Sequence, residues 1–273
     1  MMLSDALAGQ AVQLRQGVVL QVSHSPGCSP ALVFLHGGLG NRFNWRSQYE
    51  FAQAQGWEAL AYDLAGHGQS SAYRRYSLGR HQRDLSLLLQ RFDIRAPVLC
   101  CHSYGVPLGL EWAHRHSVSA LIVIGGGTHD LDPWWEVPLI KFLAWGGRYL
   151  YYLPSVQKLT NRLSSPYHHS VMERFFAESP LPTQRAPYTA LQIFWGYNFF
   201  RRHLEPLNSQ VPVLVISGDQ DPMFMPAMGA SLASLFPQGK HLNVANAGHL
   251  VMAEQPEIIN QAIAEVVQSV VKV

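Results

Sequence analysis

Ser103 stands in the run Cys101-His102-Ser103-Tyr104-Gly105, between an apolar stretch that reads as a strand and one that reads as a helix. A serine hydroxyl attacks a carbonyl only when presented on a turn too sharp for bulky neighbours, so the residues two positions to either side must be small. Gly105 meets that need, whereas Cys101 stands where a glycine would leave more room. The hydroxyl also needs a base. Of 13 histidines, His249 in Gly248-His249-Leu250 lies in a loop downstream of both the serine and a candidate acid. That acid is Asp221 in Gly218-Asp219-Gln220-Asp221, placed to hold the imidazole in its productive tautomer. Asp221 is preferred to Asp219, because the intervening residues give the chain length to turn over the sheet edge. Asp219 is then a turn or capping residue, and Asp130 is a lesser rival for the acid.

A tetrahedral oxyanion needs backbone donors as well. His36-Gly37-Gly38-Leu39-Gly40 follows an apolar strand, and the amides of Gly38 and Tyr104 are the candidate pair. One such donor is worth about 3–4 kcal/mol in the transition state. Taken alone, a glycine turn after a strand is the simpler reading of that segment. The four pieces in order, each at a strand end, make the case together.

These residues need a scaffold that gathers strand ends. Residues 31–36 (ALVFLH), 58–63 (EALAYD), 97–102 (PVLCCH), 120–125 (ALIVIG) and 212–218 (PVLVISG) are short, almost wholly apolar runs. A parallel sheet covered on both faces requires such runs. Residues 241–247 are the expected last strand, and 18–24 belong to an antiparallel hairpin at the start. Helical patterns fall at 77–92, with Leu78, Leu85, Leu88 and Leu89 on one face, at 106–116, and at 256–271. Alternating strand and helix imply right-handed crossovers and a doubly wound, mostly parallel α/β sheet. From 130 to 207 no strand is evident and aromatic residues abound, so this stretch reads as a helical lid inserted after the sixth strand. The core is then 1–129 with 208–273.

With 273 residues, the chain suits one large domain with an insertion. A formal net charge of +2, with basic residues scattered, gives no case for nucleic acid. Cys28, Cys100 and Cys101 have no metal-ligand spacing, and neighbouring strand cysteines point to opposite faces. All three read as reduced, which fits a cytoplasmic protein. Residues 1–21 lack the pattern of a signal peptide. The apolar stretch 137–153 is interrupted by Lys141, Gly146, Gly147 and Arg148, so no stable membrane insertion is expected. Contact of the lid with a membrane surface stays open, as does the oligomeric state.

Other residues read as structural. His67 shapes its turn, His36 packs beneath the oxyanion loop, and His102 points away from the substrate side. His168-His169 have no acid or cysteine at ligand spacing, so no metal is expected. Arg201-Arg202 mark a solvated face. Most lid aromatics form the lid's own core, but Trp134, Trp135 and Trp195 are candidates to line a large apolar pocket.

The run Asp63-Leu64-Ala65-Gly66-His67-Gly68-Gln69-Ser70 is similar to the D-x-x-G-H-G-x-S turn of α/β-hydrolases. With HSYGV at 102–106, GGG at 125–127 and GHLVMAEQPE at 248–257, the chain resembles the small α/β-hydrolase-domain-containing proteins from about residue 12 onward. The resemblance implies an α/β-hydrolase fold of about eight strands. It also implies a cofactor-free Ser103–His249–Asp221 triad in the family's order of serine, acid, histidine. The expected substrate is a small-molecule carboxylic ester with an apolar moiety, thioesters and lipid esters included. Two other readings stay open: carbon–carbon bond hydrolysis or perhydrolysis on the same triad, and a non-catalytic ligand-binding protein of this fold.

Overall fold

In the computed structural model, the described residues are 7–38, 40–73, 76–127, 153, 155, 156, 159 and 210–271. Four single positions apart, the segment read as a lid lies outside them. So do Asp130, Trp134, Trp135, Trp195, His168, His169, Arg201 and Arg202.

Eight strands form one sheet in the order β1-β2-β4-β3-β5-β6-β7-β8. They are β1 (Gln10–Arg15), β2 (Val18–Ser25), β3 (Cys28–Leu35), β4 (Trp57–Tyr62), β5 (Val98–His102), β6 (Ala120–Ile124), β7 (Val213–Gly218) and β8 (Gly239–Val244). The β1–β2 and β2–β4 pairs are antiparallel, and every other pair is parallel. The central strands β5 and β6 are buried along their whole length, as strands covered on both faces must be. Cys100 and Cys101 illustrate the alternation: Cys101 joins the apolar core on one face and Cys100 the core on the other.

Helices among the described residues include α1 (Arg46–Ala54), entered through a 3₁₀ turn at Arg42–Trp45, α2 (Leu78–Arg91), α3 (Gly105–Ala113), α4 (Pro226–Ser234), α5 (Val251–Glu254) and α6 (Pro256–Val271). The α2 leucines at 78, 85, 88 and 89 are buried as their spacing predicts, but His81 and Asp84 are buried with them. Asp84 is ion-paired to Arg15 at 3.2 Å and accepts the Tyr73 hydroxyl. Burial pushes Asp84 up to about 6, against the pull of Arg15. Among the described residues, no helix is long and apolar enough to cross a membrane.

Three details differ from the pattern reading. The last strand spans Gly239–Val244 rather than 241–247. It stops there because Asn246 turns with a φ of 53° and the Ala247 amide donates to Asp219 instead of the ladder. The helix after β5 runs Gly105–Ala113, one residue earlier at its start and three shorter at its end than 106–116. To the elements marked by the sequence pattern the structure adds a strand at Gln10–Arg15, a 3₁₀ turn at Arg42–Trp45, and helices at Arg46–Ala54, Pro226–Ser234 and Val251–Glu254.

Cys101 fits beneath the β5–α3 turn because Gly109, one turn into α3, leaves space for it. A Cβ on Gly109 would run into the Cys101 sulfur, yet would lie 3.6 Å from its Cβ, an ordinary contact. Gly109→Ala is therefore expected to lose about 1–3 kcal/mol through overpacking, more than helix propensity returns. Cys101→Ala in the same chain should restore most of it. Urea denaturation of the two single variants and the double variant checks this; additive losses would contradict it.

Candidate active site

Ser103 follows β5 directly, half-buried, with a φ of 48°, a left-handed conformation uncommon for a residue with a side chain. Its N–H donates to the Ile124 carbonyl at 3.0 Å, and its carbonyl accepts from Val106 at 2.9 Å. The turn is thus clamped to the end of β6 and to the start of α3. Close approach of β3 and the nucleophile turn needs glycines on both segments. A Cβ on Gly37 would lie 3.0 Å from the Ser103 Cβ, and one on Gly105 would lie 2.5 Å from the Leu35 carbonyl oxygen.

The loop after β3 is held from below. His36 donates from Nδ1 to the Gly37 carbonyl at 2.7 Å and accepts the Leu64 amide on Nε2 at 2.9 Å, which fixes its tautomer. Farther along, the Arg42 guanidinium meets the Asp63 carboxylate at 2.6 Å, both fully or nearly fully buried. Asp63 also accepts the Arg42 and Gln69 amides at 2.8 and 2.9 Å. The D-x-x-G-H-G-x-S turn after β4 thereby braces the glycine loop after β3. Gly38 sits in that loop, and Tyr104 follows Ser103 as the N-cap of α3.

On the far side, His249 Nδ1 donates to Asp221 Oδ2 at 2.8 Å. With that proton on Nδ1, the lone pair lies on Nε2, the tautomer a general base requires. The other carboxylate oxygen, Oδ1, accepts the amides of Met223 and Phe224 at 2.8 and 3.0 Å. Burial alone would raise Asp221, but the hydrogen bond and charge of His249, with those two amides, hold it below its ordinary value. Asp219 is a turn residue, bonded through its side chain to the Ala247 amide at 3.2 Å.

Two residues at this site escaped the sequence reading. Glu254 is buried and accepts the amides on either side of His249, Gly248 at 2.8 Å and Leu250 at 3.2 Å. The signal for it was an acid in an otherwise apolar run after the histidine. Phe224 stacks on the His249 ring, with centroids 5.9 Å apart and planes at 17°. No spacing rule marks such a contact. His67 donates within its own turn, from Nδ1 to the Ala65 carbonyl oxygen at 3.3 Å. The His102 ring packs on His249. Among the described residues, no group of three or more His, Cys, Asp or Glu is placed to hold a metal.

The chain belongs to the alpha/beta hydrolase fold family. The family's model covers residues 30–256. Human Protein ABHD8 is 38% identical over 111 residues, which is 37% of this chain and 25% of that protein. The chain thus matches about a quarter of that relative's length. A haloalkane dehalogenase of Agrobacterium fabrum is 35% identical over 96 residues, 35% of this chain and 31% of that protein. Among solved structures, a thermophilic esterase from Thermogutta terrifontis superposes with a TM-score of 0.76 at 21% identity, covering 93% of this chain and 94% of its own.

This hydrolase-fold core keeps four histidines neutral. Burial lowers His36, His67, His81 and His102 from 6.5 to about 3. In the unfolded chain each takes up its proton near pH 6.5. Between those values the unfolded state holds more protons, so stability is complete above about pH 6.5 and is lost as pH falls. Each histidine contributes a slope of up to about 1.4 kcal/mol per pH unit. Neither ring nitrogen of His81 meets a partner among the described residues, and its ring lies among Tyr73, Tyr76 and Tyr104. His81→Phe is therefore expected to lower the pH dependence of the urea midpoint between pH 6.5 and 4.5 by about one proton. An unchanged slope would contradict the neutral burial of His81.

Proposed function

We propose that this chain is a serine hydrolase that cleaves carboxylic esters with an apolar moiety, with Ser103 as nucleophile, His249 as base and Asp221 orienting it. The observation that carries the reading is the His249–Asp221 hydrogen bond at 2.8 Å, on the same sheet edge as a serine held in a left-handed turn. His249 Nε2 takes the hydroxyl proton as Ser103 Oγ bonds to the carbonyl carbon. The Gly38 and Tyr104 amides receive the oxyanion. Collapse of the tetrahedral intermediate breaks the bond to the leaving group, which departs with the proton from His249. Water then repeats the sequence, releasing the acid and restoring the serine.

An apolar substrate part is supported by the rim of the site. Met223 and Met225 are 54% and 55% exposed on either side of Phe224, which itself covers His249. In our reading residues 130–207 form the lid over this rim, and Trp134, Trp135 and Trp195 contribute the pocket wall. The esterase among the structural neighbours agrees with ester cleavage, while fold likeness does not select a reaction. Dehalogenation is disfavoured despite the similarity to a dehalogenase, because that reaction needs a carboxylate nucleophile where Ser103 stands.

A fluorophosphonate probe, with the adduct mapped by mass spectrometry, tests the nucleophile. Labelling is expected at Ser103 and lost in Ser103→Ala. p-Nitrophenyl esters from acetate to laurate test the reaction, with kcat/KM rising with chain length. Asp221→Asn should lower kcat by about 10⁴-fold with little change in KM, because the wrong tautomer is then favoured. Labelling without ester turnover would move the assignment to carbon–carbon hydrolysis or perhydrolysis. A folded protein that admits the fluorophosphonate to its site yet does not label would be a ligand-binding member of the family.

A further inference from the structure

We propose that His102 is a positioning residue for the base: its imidazole is the tie that holds the His249 loop against the nucleophile turn. The proposal rests on the hydrolase reading for its effect on rate, and on geometry alone for the tie itself. His102 is the last residue of β5, adjacent to Ser103 and 3% exposed. Its Nε2 lies 2.9 Å from the His249 carbonyl oxygen, 147 residues away in sequence. The two rings pack with centroids 4.9 Å apart at 48°.

The sheet cannot make this connection by itself. In strand order β6 and β7 separate β5 from β8, after which His249 comes, so no ladder bond joins the two segments. Glu254 holds the amides of Gly248 and Leu250 but leaves the intervening carbonyl to another donor. His102 Nε2–H is that donor. Since Nε2 faces a carbonyl, it carries the proton, and burial keeps the ring neutral, with a lone pair on Nδ1. That nitrogen is buried without a partner and would sit 2.8 Å from a Cβ on Gly37. One ring therefore touches the nucleophile turn, the base and the glycine loop. Burial, reinforced by the nearby His249, disfavours its protonation. It is an uncharged strut that does not compete with Asp221 for the charge His249 gains during reaction. A base displaced by about 1 Å costs on the order of 10²-fold in rate, so the tie matters even though it touches no substrate.

Glutamine at 102 places an amide N–H near the position of Nε2, leucine keeps bulk without a donor, and asparagine has a donor that falls short. For wild type, His102→Leu, His102→Gln and His102→Asn, the readouts are melting temperature, the second-order rate of fluorophosphonate labelling at Ser103, and amide hydrogen exchange across 247–251. His102→Leu and His102→Asn should label at least about tenfold more slowly and exchange faster in that loop, with melting temperature changed far less than the rate. His102→Gln should recover most of both. If leucine prevents folding, the glutamine–asparagine comparison carries the test. Wild-type labelling and exchange in the leucine variant, or equal losses in glutamine and leucine, would overturn the proposal. If wild type itself does not label, the hydrolase reading fails, and the exchange comparison still decides whether His102 ties the loop.

Discussion

Ser103 must be held at a φ of 48° between a buried strand and a helix, and much of the surrounding sequence serves that demand. A residue with a side chain pays on the order of 1–3 kcal/mol to sit there and persists only when its surroundings leave no alternative. Here the surroundings are backbone: the Ile124 carbonyl on one side and the first turn of α3 on the other. Small residues then become obligatory wherever another chain segment must come close. Gly37 and Gly105 answer β3, and Gly109 makes the room that Cys101 takes.

The loops that meet this turn are fixed by side chains bonding to backbone rather than by the sheet. Asp63 gathers two amides and a guanidinium, His36 spans a carbonyl and an amide, and Glu254 brackets His249. Buried polar groups cost heavily when unpaired, so each of these ties specifies one loop arrangement over its neighbours. The same burial that makes the ties specific keeps the core histidines neutral, which couples the fold to acid. Stability and site geometry thus depend on the same few polar contacts.

Much of this was legible in the chain. The apolar runs gave the central strands to within a few residues, because strands buried on both faces leave no polar alternation to misread. Chain order and loop position place Ser103, Asp221 and His249 at one sheet edge, where His249 bonds to Asp221 and the Ala247 amide to Asp219. Edge elements were harder. The first strand is half-exposed, and the last one ends where Asn246 and Asp219 divert its backbone, a side-chain event that periodicity does not report. Phe224 on the His249 ring and His102 on the His249 carbonyl are contacts around a ring and across 147 residues, which no local pattern encodes, whereas Glu254 bonds amides only four and six residues away.

A crystal structure of the phosphonate-labelled protein tests the assembled constellation most directly. The expected result is phosphorus bonded to Ser103 Oγ, with His249 Nε2 turned toward that oxygen. The phosphonyl oxygen is then expected within about 2.7–3.1 Å of the Gly38 and Tyr104 nitrogens. A phosphonyl group on another residue, or one on Ser103 whose oxygen points away from both amides, would contradict it.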